Sequence, residues 1–407
     1  MTAPYFRGLF PEVVGNINFL KLWLAQFTSQ IGLNALYFVL TLKIYEATAS
    51  NTAVSLLILT FTAPSIFLGY IAGVYVDQLS LKKVMLATNL VRALAILLLL
   101  IFGSQIYLVF LIVFALSVAT LFFIPAEGSA VPSLVVGRQL IAANGLFSFS
   151  YQTSLVVGFL IGGFSLRILG EQQTTWAIFV LFVVSLALNL WLPKSIRSES
   201  SAREQSILKR FIGGIVFVFS TKKVRDSIFF LTLTTTIVFM LAAIGPGYVD
   251  KVLGLDVKYV ATFVVLPATA GMALGSFVLG HIGNRFDERK LINFGLFGLG
   301  VTFLLLSSVG EVNLDLAARI MSLALLFLIG LANALITVPT TTNFQKATPE
   351  NLRGRAYGLM GTFVSGVAAL PVLVSGAVGD IYGVRSVLVV LGILVTGFGI
   401  YRLRPKG

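Results

Sequence analysis

The feature that most constrains this chain is a series of apolar runs, each about 20 residues long, recurring along nearly all of its 407 residues. A run of that length crosses a hydrocarbon core of roughly 30 Å as one α-helix. Barrel strands would instead be about 10 residues long with alternating polarity, and these runs are apolar all round. Composition agrees: 57% of residues are hydrophobic and 11% charged, against about 45–50% and about 25% in ordinary soluble domains. The fold class that follows is an all-α polytopic membrane protein.

The predicted spans are 17–45, 53–76, 84–102, 106–131, 146–168 and 175–192, then 228–249, 259–282, 291–308, 316–338, 359–378 and 384–401. Between the two sets of six lies a charged, Ser-rich stretch. Within it the short apolar run 207–219 has basic flanks, which predicts a helix lying at the cytoplasmic interface. The expected organisation is an N-terminal six-helix bundle (1–193), a linker with an interfacial helix (194–225) and a C-terminal six-helix bundle (226–407).

The formal charge of +13 reads as membrane topology, not as a nucleic-acid site, because the basic residues sit in short connections and not in one patch. With both termini inside, the inner connections collect Lys82, Lys83, Arg138, Lys194, Arg197, Arg203, Lys209, Arg210, Lys222, Lys223, Arg225, Arg285, Arg289, Lys290, Lys346, Arg353 and Arg355, with Arg402, Arg404 and Lys406 in the tail. The opposite face holds only Lys43, Arg167, Lys251, Lys258, Arg319 and Arg385. The expected location is therefore an inner or plasma membrane, multi-pass, with cytoplasmic termini. Residues 1–16 are polar and short, so no cleavable signal peptide is expected. Cysteine is absent, which excludes disulfides and thiolate metal sites.

The chain repeats itself. An offset of 207 superposes Gly73, Asp77, Lys82 and Lys83, after the second span, on Gly280, Asn284, Arg289 and Lys290, after the eighth. An offset of 213 lays Ala143, Gly145, Leu146, Gly163 and Gly170 on Ala356, Gly358, Leu359, Gly376 and Gly383. Parallel repeats of this kind belong to one large transporter architecture. Through the loop of Gly73, Asp77, Lys82 and Lys83, and its copy with Asn284, Arg285, Arg289 and Lys290, the chain resembles the major facilitator superfamily. The N-terminal copy departs at Gln78 and Ser80, where Arg and Gly are usual, and the C-terminal copy at Asn284. Phe123, Ile124, Pro125 and Ala126, then Pro132, Ser133, Leu134 and Val135, then Leu140, Ala142, Ala143 and Asn144, resemble its macrolide-efflux and enterobactin-exporter branch. So do Gln26, Ser29 and Gly32 early in the chain and Arg353, Gly354 and Arg355 late in it. The resemblance implies twelve helices in two pseudo-symmetric six-helix bundles, with a substrate cavity between the halves.

Candidate site residues fall into three groups. Gly73, Asp77, Lys82, Lys83, Gly280, Asn284, Arg285, Arg289 and Lys290 form an expected cytoplasmic latch. In it Asp77 accepts from backbone N–H groups at a facing helix N-terminus, and the lysines pair with carboxylates or anionic lipid heads. Gln26, Gln30 and Asn34 recur at i, i+4 and i+8 on one helix face. Amides facing lipid would go unsatisfied, so that face turns inward, either to line the cavity or to bond neighbouring helices. Tyr151, Gln152, Thr234, Thr235, Thr236, Asn333 and Thr337 are further cavity candidates. Gly158 and Gly162 have the small-xxx-small spacing of a close helix contact. Gly158 is followed by Phe159, not by the Pro of the family's antiporters.

For proton coupling, Glu127 is the main candidate: it follows Pro125 near the inner end of the fourth span and is a rare ionisable residue in a span, with Arg138 or Arg92 as possible partners. Asp77 is the second candidate. His281, the only histidine, lies inside the loop repeat and reads as structural. No phosphate loop, metal cluster or nucleophile motif occurs, so neither an enzyme nor a cofactor is expected. The predicted function is proton-coupled export of an amphipathic small molecule, drug-like or siderophore-like, by alternating access, with the chain acting as a monomer in the bilayer. A lysolipid or uptake carrier of the same fold stays open, as does a non-transporting membrane binding or scaffold protein.

Overall fold

The computed structural model describes residues 12–135, 139–193, 207–282, 286–311, 315–349 and 353–403, and no β-strand occurs among them. The helices are α1 (Ile17–Thr48), α2 (Asn51–Gln78), α3 (Leu81–Phe102), α4 (Ile106–Ala130), α5 (Leu140–Leu169), α6 (Glu171–Leu190) and the short α7 (Ile207–Ser220). There follow α8 (Lys222–Lys251), α9 (Leu266–Ile282), α10 (Glu288–Ser307), α11 (Asp315–Ala347), α12 (Arg353–Ile381) and α13 (Val384–Leu403).

Among the described residues, eleven helical segments are long and apolar enough to cross a membrane. α1, with 32 residues, is long enough at about 48 Å. Its apolar character is diluted by Gln26, Thr28, Ser29, Gln30 and Asn34. Large apolar side chains such as Phe67, Leu111, Ile168, Phe277 and Leu370 lie exposed, as they do where lipid rather than water is the solvent.

Most helices run past the ends of their apolar runs. α1 continues to Thr48, α5 begins at Leu140 and not 146, and α8 begins at Lys222 and not 228. Helical hydrogen bonding does not stop where hydrophobicity stops, and the polar ends need only reach the interface. The first turn of α8 thus absorbs 222–225, which the sequence assigns to the linker. The eighth span starts irregularly, with a 3-10 turn at Val257–Tyr259 and a π turn at Ala261–Val265 where the Leu266 N–H donates to the Ala261 carbonyl. Pro267 follows and has no N–H for the carbonyl four residues back, so the ladder slips by one residue there.

The chain forms two compact units, the first Met1–Leu40 with Thr60–Ile207, the second Thr41–Leu59 with Leu208–Gly407. In the first, α3 packs against α4 and α6; in the second, α10 packs against α11 and α13, the same relation six spans on. The repeat also appears in the backbone. Gly170, between α5 and α6, has φ +85°, and Gly383, between α12 and α13, has φ +84°. That left-handed conformation favours glycine, which explains why the self-similar pattern keeps it at both sites.

Candidate functional site

In the first unit, α1 is held by its neighbours through small residues and buried amides. A methyl group at Gly158 of α5 would lie 2.6 Å from Asn34 Cβ and 2.8 Å from the Ile31 carbonyl, and one at Gly162 would lie 3.0 Å from the Ala35 carbonyl. The small-xxx-small pair therefore brings α5 against the backbone of α1. Gln26 and Gln30 are buried, and Gln26 Oε1 accepts from the Ser150 hydroxyl at 2.7 Å. Of the predicted amide stripe, Gln26 thus makes a helix-to-helix bond, while Asn34 is partly exposed.

A buried polar network runs beside this stripe. Arg92 is at the middle of α3 and only 1% exposed. Its Nε donates to Thr120 Oγ1 of α4 at 3.1 Å and its Nη1 to Asn89 Oδ1 at 3.3 Å. Asn89 Nδ2 donates to Ser185 Oγ of α6 at 3.0 Å, and that hydroxyl donates to the Ala25 carbonyl of α1 at 2.8 Å. The guanidinium carbon lies 4.1 Å from the Phe123 ring centre, a cation–π contact in a desolvated setting.

Glu127 is Arg92's charged neighbour. The sequence places Glu127 near the inner end of the fourth span, with Pro125 opening that turn. In the structure α4 remains helical through Pro125 to Ala130, and Glu127 is 5% exposed. Glu127 Oε1 and Arg92 Nη2 are both buried without a hydrogen-bond partner. A buried donor and acceptor of opposite charge left unmet cost more than an apolar pair would, which marks the pair as a candidate functional site. Arg92 enters the sequence reading only as a candidate partner for Glu127, and Asn89 and Ser185 not at all, although an Arg at the midpoint of an otherwise apolar run marks itself.

Of the expected latch residues, the side chains of Lys82, Lys83, Arg289 and Lys290 are described. Among the described residues Lys82 pairs with no carboxylate. Its ammonium donates to the carbonyls of Leu190, at 2.7 Å, and Leu192, where α6 ends. Orphan carbonyls at the negative end of a helix dipole are a natural cation site, which explains the difference. Lys83, Arg289 and Lys290 are exposed, and the Arg289 N–H is capped by Asp287 Oδ1 at 2.7 Å. Gly73 and Asp77 fall in the last turns of α2, Gln152 in α5, and Gly280 and His281 at the end of α9, but their side chains lie outside the described set. Asn284 and Arg285 lie outside the described residues.

In the second unit, Thr234 bonds to the Phe230 carbonyl of its own helix at 2.9 Å. Thr236 is buried with Oγ1 unpartnered, and Thr235 is partly buried. Asn333 is buried and accepts from the Thr337 hydroxyl at 2.8 Å. Tyr151, in the first unit, is 53% exposed.

Comparison with known proteins agrees with this arrangement. Residues 22–372 match the model of the Major Facilitator Superfamily. Macrolide efflux protein A of Streptococcus pyogenes is 26% identical over 93% of both chains. The multidrug efflux pump Tap of Mycolicibacterium fortuitum is 24% identical over 85% of both. Among solved structures, the nucleoside transporter NupG superposes with a TM-score of 0.72 at 13% identity, covering 95% of this chain and 99% of that one. A POT family transporter gives 0.70 at 12%, covering 95% of each. With the family model spanning most of the chain, and with its helices, its repeat and these neighbours in agreement, the protein is a multi-pass membrane transporter of the major facilitator superfamily.

Proposed function

We propose that this transporter exports an amphipathic small molecule across a cell membrane in exchange for protons, by alternating access and as a monomer with both termini in the cytoplasm. The observation that carries the reading is the buried pair of Arg92 and Glu127, each with an unmet polar atom inside the membrane-spanning helices. A carboxylate there can hold a proton in one state of the cycle and face a guanidinium in the other, which is what coupling requires of a single group. Export and an amphipathic cargo are supported by relatives whose names state macrolide and multidrug efflux. Gln30, Asn34, Tyr151, Gln152, Thr235, Thr236 and Asn333 remain the proposed contacts for the cargo, and Gln26 is assigned to holding α1 against α5.

The test is flux of a labelled macrolide in proteoliposomes with an imposed pH gradient. Saturable accumulation abolished by a protonophore is expected. Flux that neither saturates nor responds to the gradient would remove the reading.

A further inference from the structure

Within the second unit, two acids at helix ends hold the tip where α1 turns into α2. Asp380 stands in the last turn of α12. Its Oδ1 accepts from the Asn51 backbone N–H at 2.7 Å and from Asn51 Nδ2 at 3.0 Å. Its Oδ2 accepts from the Ser50 hydroxyl at 2.6 Å, the Thr52 N–H at 2.9 Å and the Thr52 hydroxyl at 2.7 Å. Two of these five donors are the first backbone N–H groups of α2, which have no acceptor in their own helix and lie at the positive end of its dipole. Asp250, in the last turn of α8, accepts from the Tyr45 hydroxyl at 3.1 Å.

Glycines form part of the surface under the tip. A methyl group at Gly376 would lie 2.6 Å from the Asn51 carbonyl, and one at Gly247 would lie 2.8 Å from Asn51 Nδ2. Asn51 and Ser55 are fully buried, and the Ser55 hydroxyl donates to the Val372 carbonyl at 2.9 Å. Nearly every polar link is a hydrogen bond to a charged or backbone oxygen. Such links are strong and specific while seated, yet water replaces them once the tip lifts, so the contact suits release better than an apolar seam would. The sequence holds the arrangement twice: Gly376 precedes Asp380 by four residues, as Gly73 precedes Asp77, and both pairs close a helix. At Gly376 and Asp380 the glycine admits the neighbouring backbone, and the acid one turn later meets its donors.

We propose that Asp380 is a releasable clamp, a positioning residue that holds the outer tip of the first two helices shut and must let go in each transport cycle. This rests on reading the chain as an alternating-access exporter with both termini inside.

The chain has no cysteine, so Ile244→Cys supplies a single thiol under the tip. Ile244 is fully buried and lies 3.6 Å from where a methyl at Gly379 would sit, beside Asn51. In right-side-out vesicles, a membrane-impermeant methanethiosulfonate should label Ile244→Cys about tenfold or more faster when Asp380→Ala is added, with Asp380→Asn in between. Gradient-driven macrolide flux should fall in both variants. Should Asp380→Ala fail to fold, Ser50→Ala with Thr52→Val removes two hydroxyl donors and is expected to raise labelling by a smaller factor. Labelling that stays at the parent rate in folded variants overturns the clamp. If labelling rises as expected while the parent protein itself moves no substrate, the clamp stands and the export reading fails.

Discussion

Arg92 and Glu127 show how much one pair of side chains decides. Removing one partner leaves the other charge buried and uncompensated, whereas removing both is far milder. Arg92→Gln is therefore expected to lower the melting temperature in detergent, and Arg92→Gln with Glu127→Gln to recover part of the loss. Additive losses would mean the two groups do not interact. The amide stripe divides in a second way. Gln26 is buried and bonded to Ser150 while Asn34 is partly exposed, so Asn34→Cys should react with small hydrophilic thiol reagents and Gln26→Cys should stay inert. Equal reactivity would return Gln26 to the cavity. The stripe was legible because three amides share a helix face, and lipid cannot satisfy them. The network of Arg92, Asn89 and Ser185 was not read out because no local pattern joins residues on two different spans. Its one visible sign was a guanidinium at the midpoint of an apolar run.

Helices were legible as runs of hydrophobicity, but their ends were not. α1, α5 and α8 all extend into polar sequence, because backbone hydrogen bonds outlast the apolar segment and side chains there reach the interface. The π turn before α9 follows from Pro267, a residue that marks a break without stating its form. A close helix contact was readable from Gly158 and Gly162, and the structure supplies its partner, α1, and its tightness. Gly158→Val should drive the helices apart, lowering the melting temperature and reducing macrolide flux by about tenfold or more. Flux at the parent level would show that the close approach is dispensable.

The two-fold repeat of the chain was visible in fixed-offset matches, and it reappears in the packing of α3 with α4 and α6 against that of α10 with α11 and α13, and in the left-handed Gly170 and Gly383. What no offset revealed is that residues 41–59 group with the second unit. Within that unit Asp380 finds donors more than 300 residues away in sequence, a relation set by the folded chain and not by any local signal. The proposed energy coupling belongs to the scale of the whole molecule, since it would link a proton on one residue to a movement of the whole chain. The most direct measurement is Glu127→Gln in proteoliposomes loaded with labelled macrolide. The expected result is that exchange down the substrate's own gradient persists while the response to an imposed pH gradient is lost. Gradient-driven accumulation at the parent level in this variant would contradict Glu127 as the proton carrier.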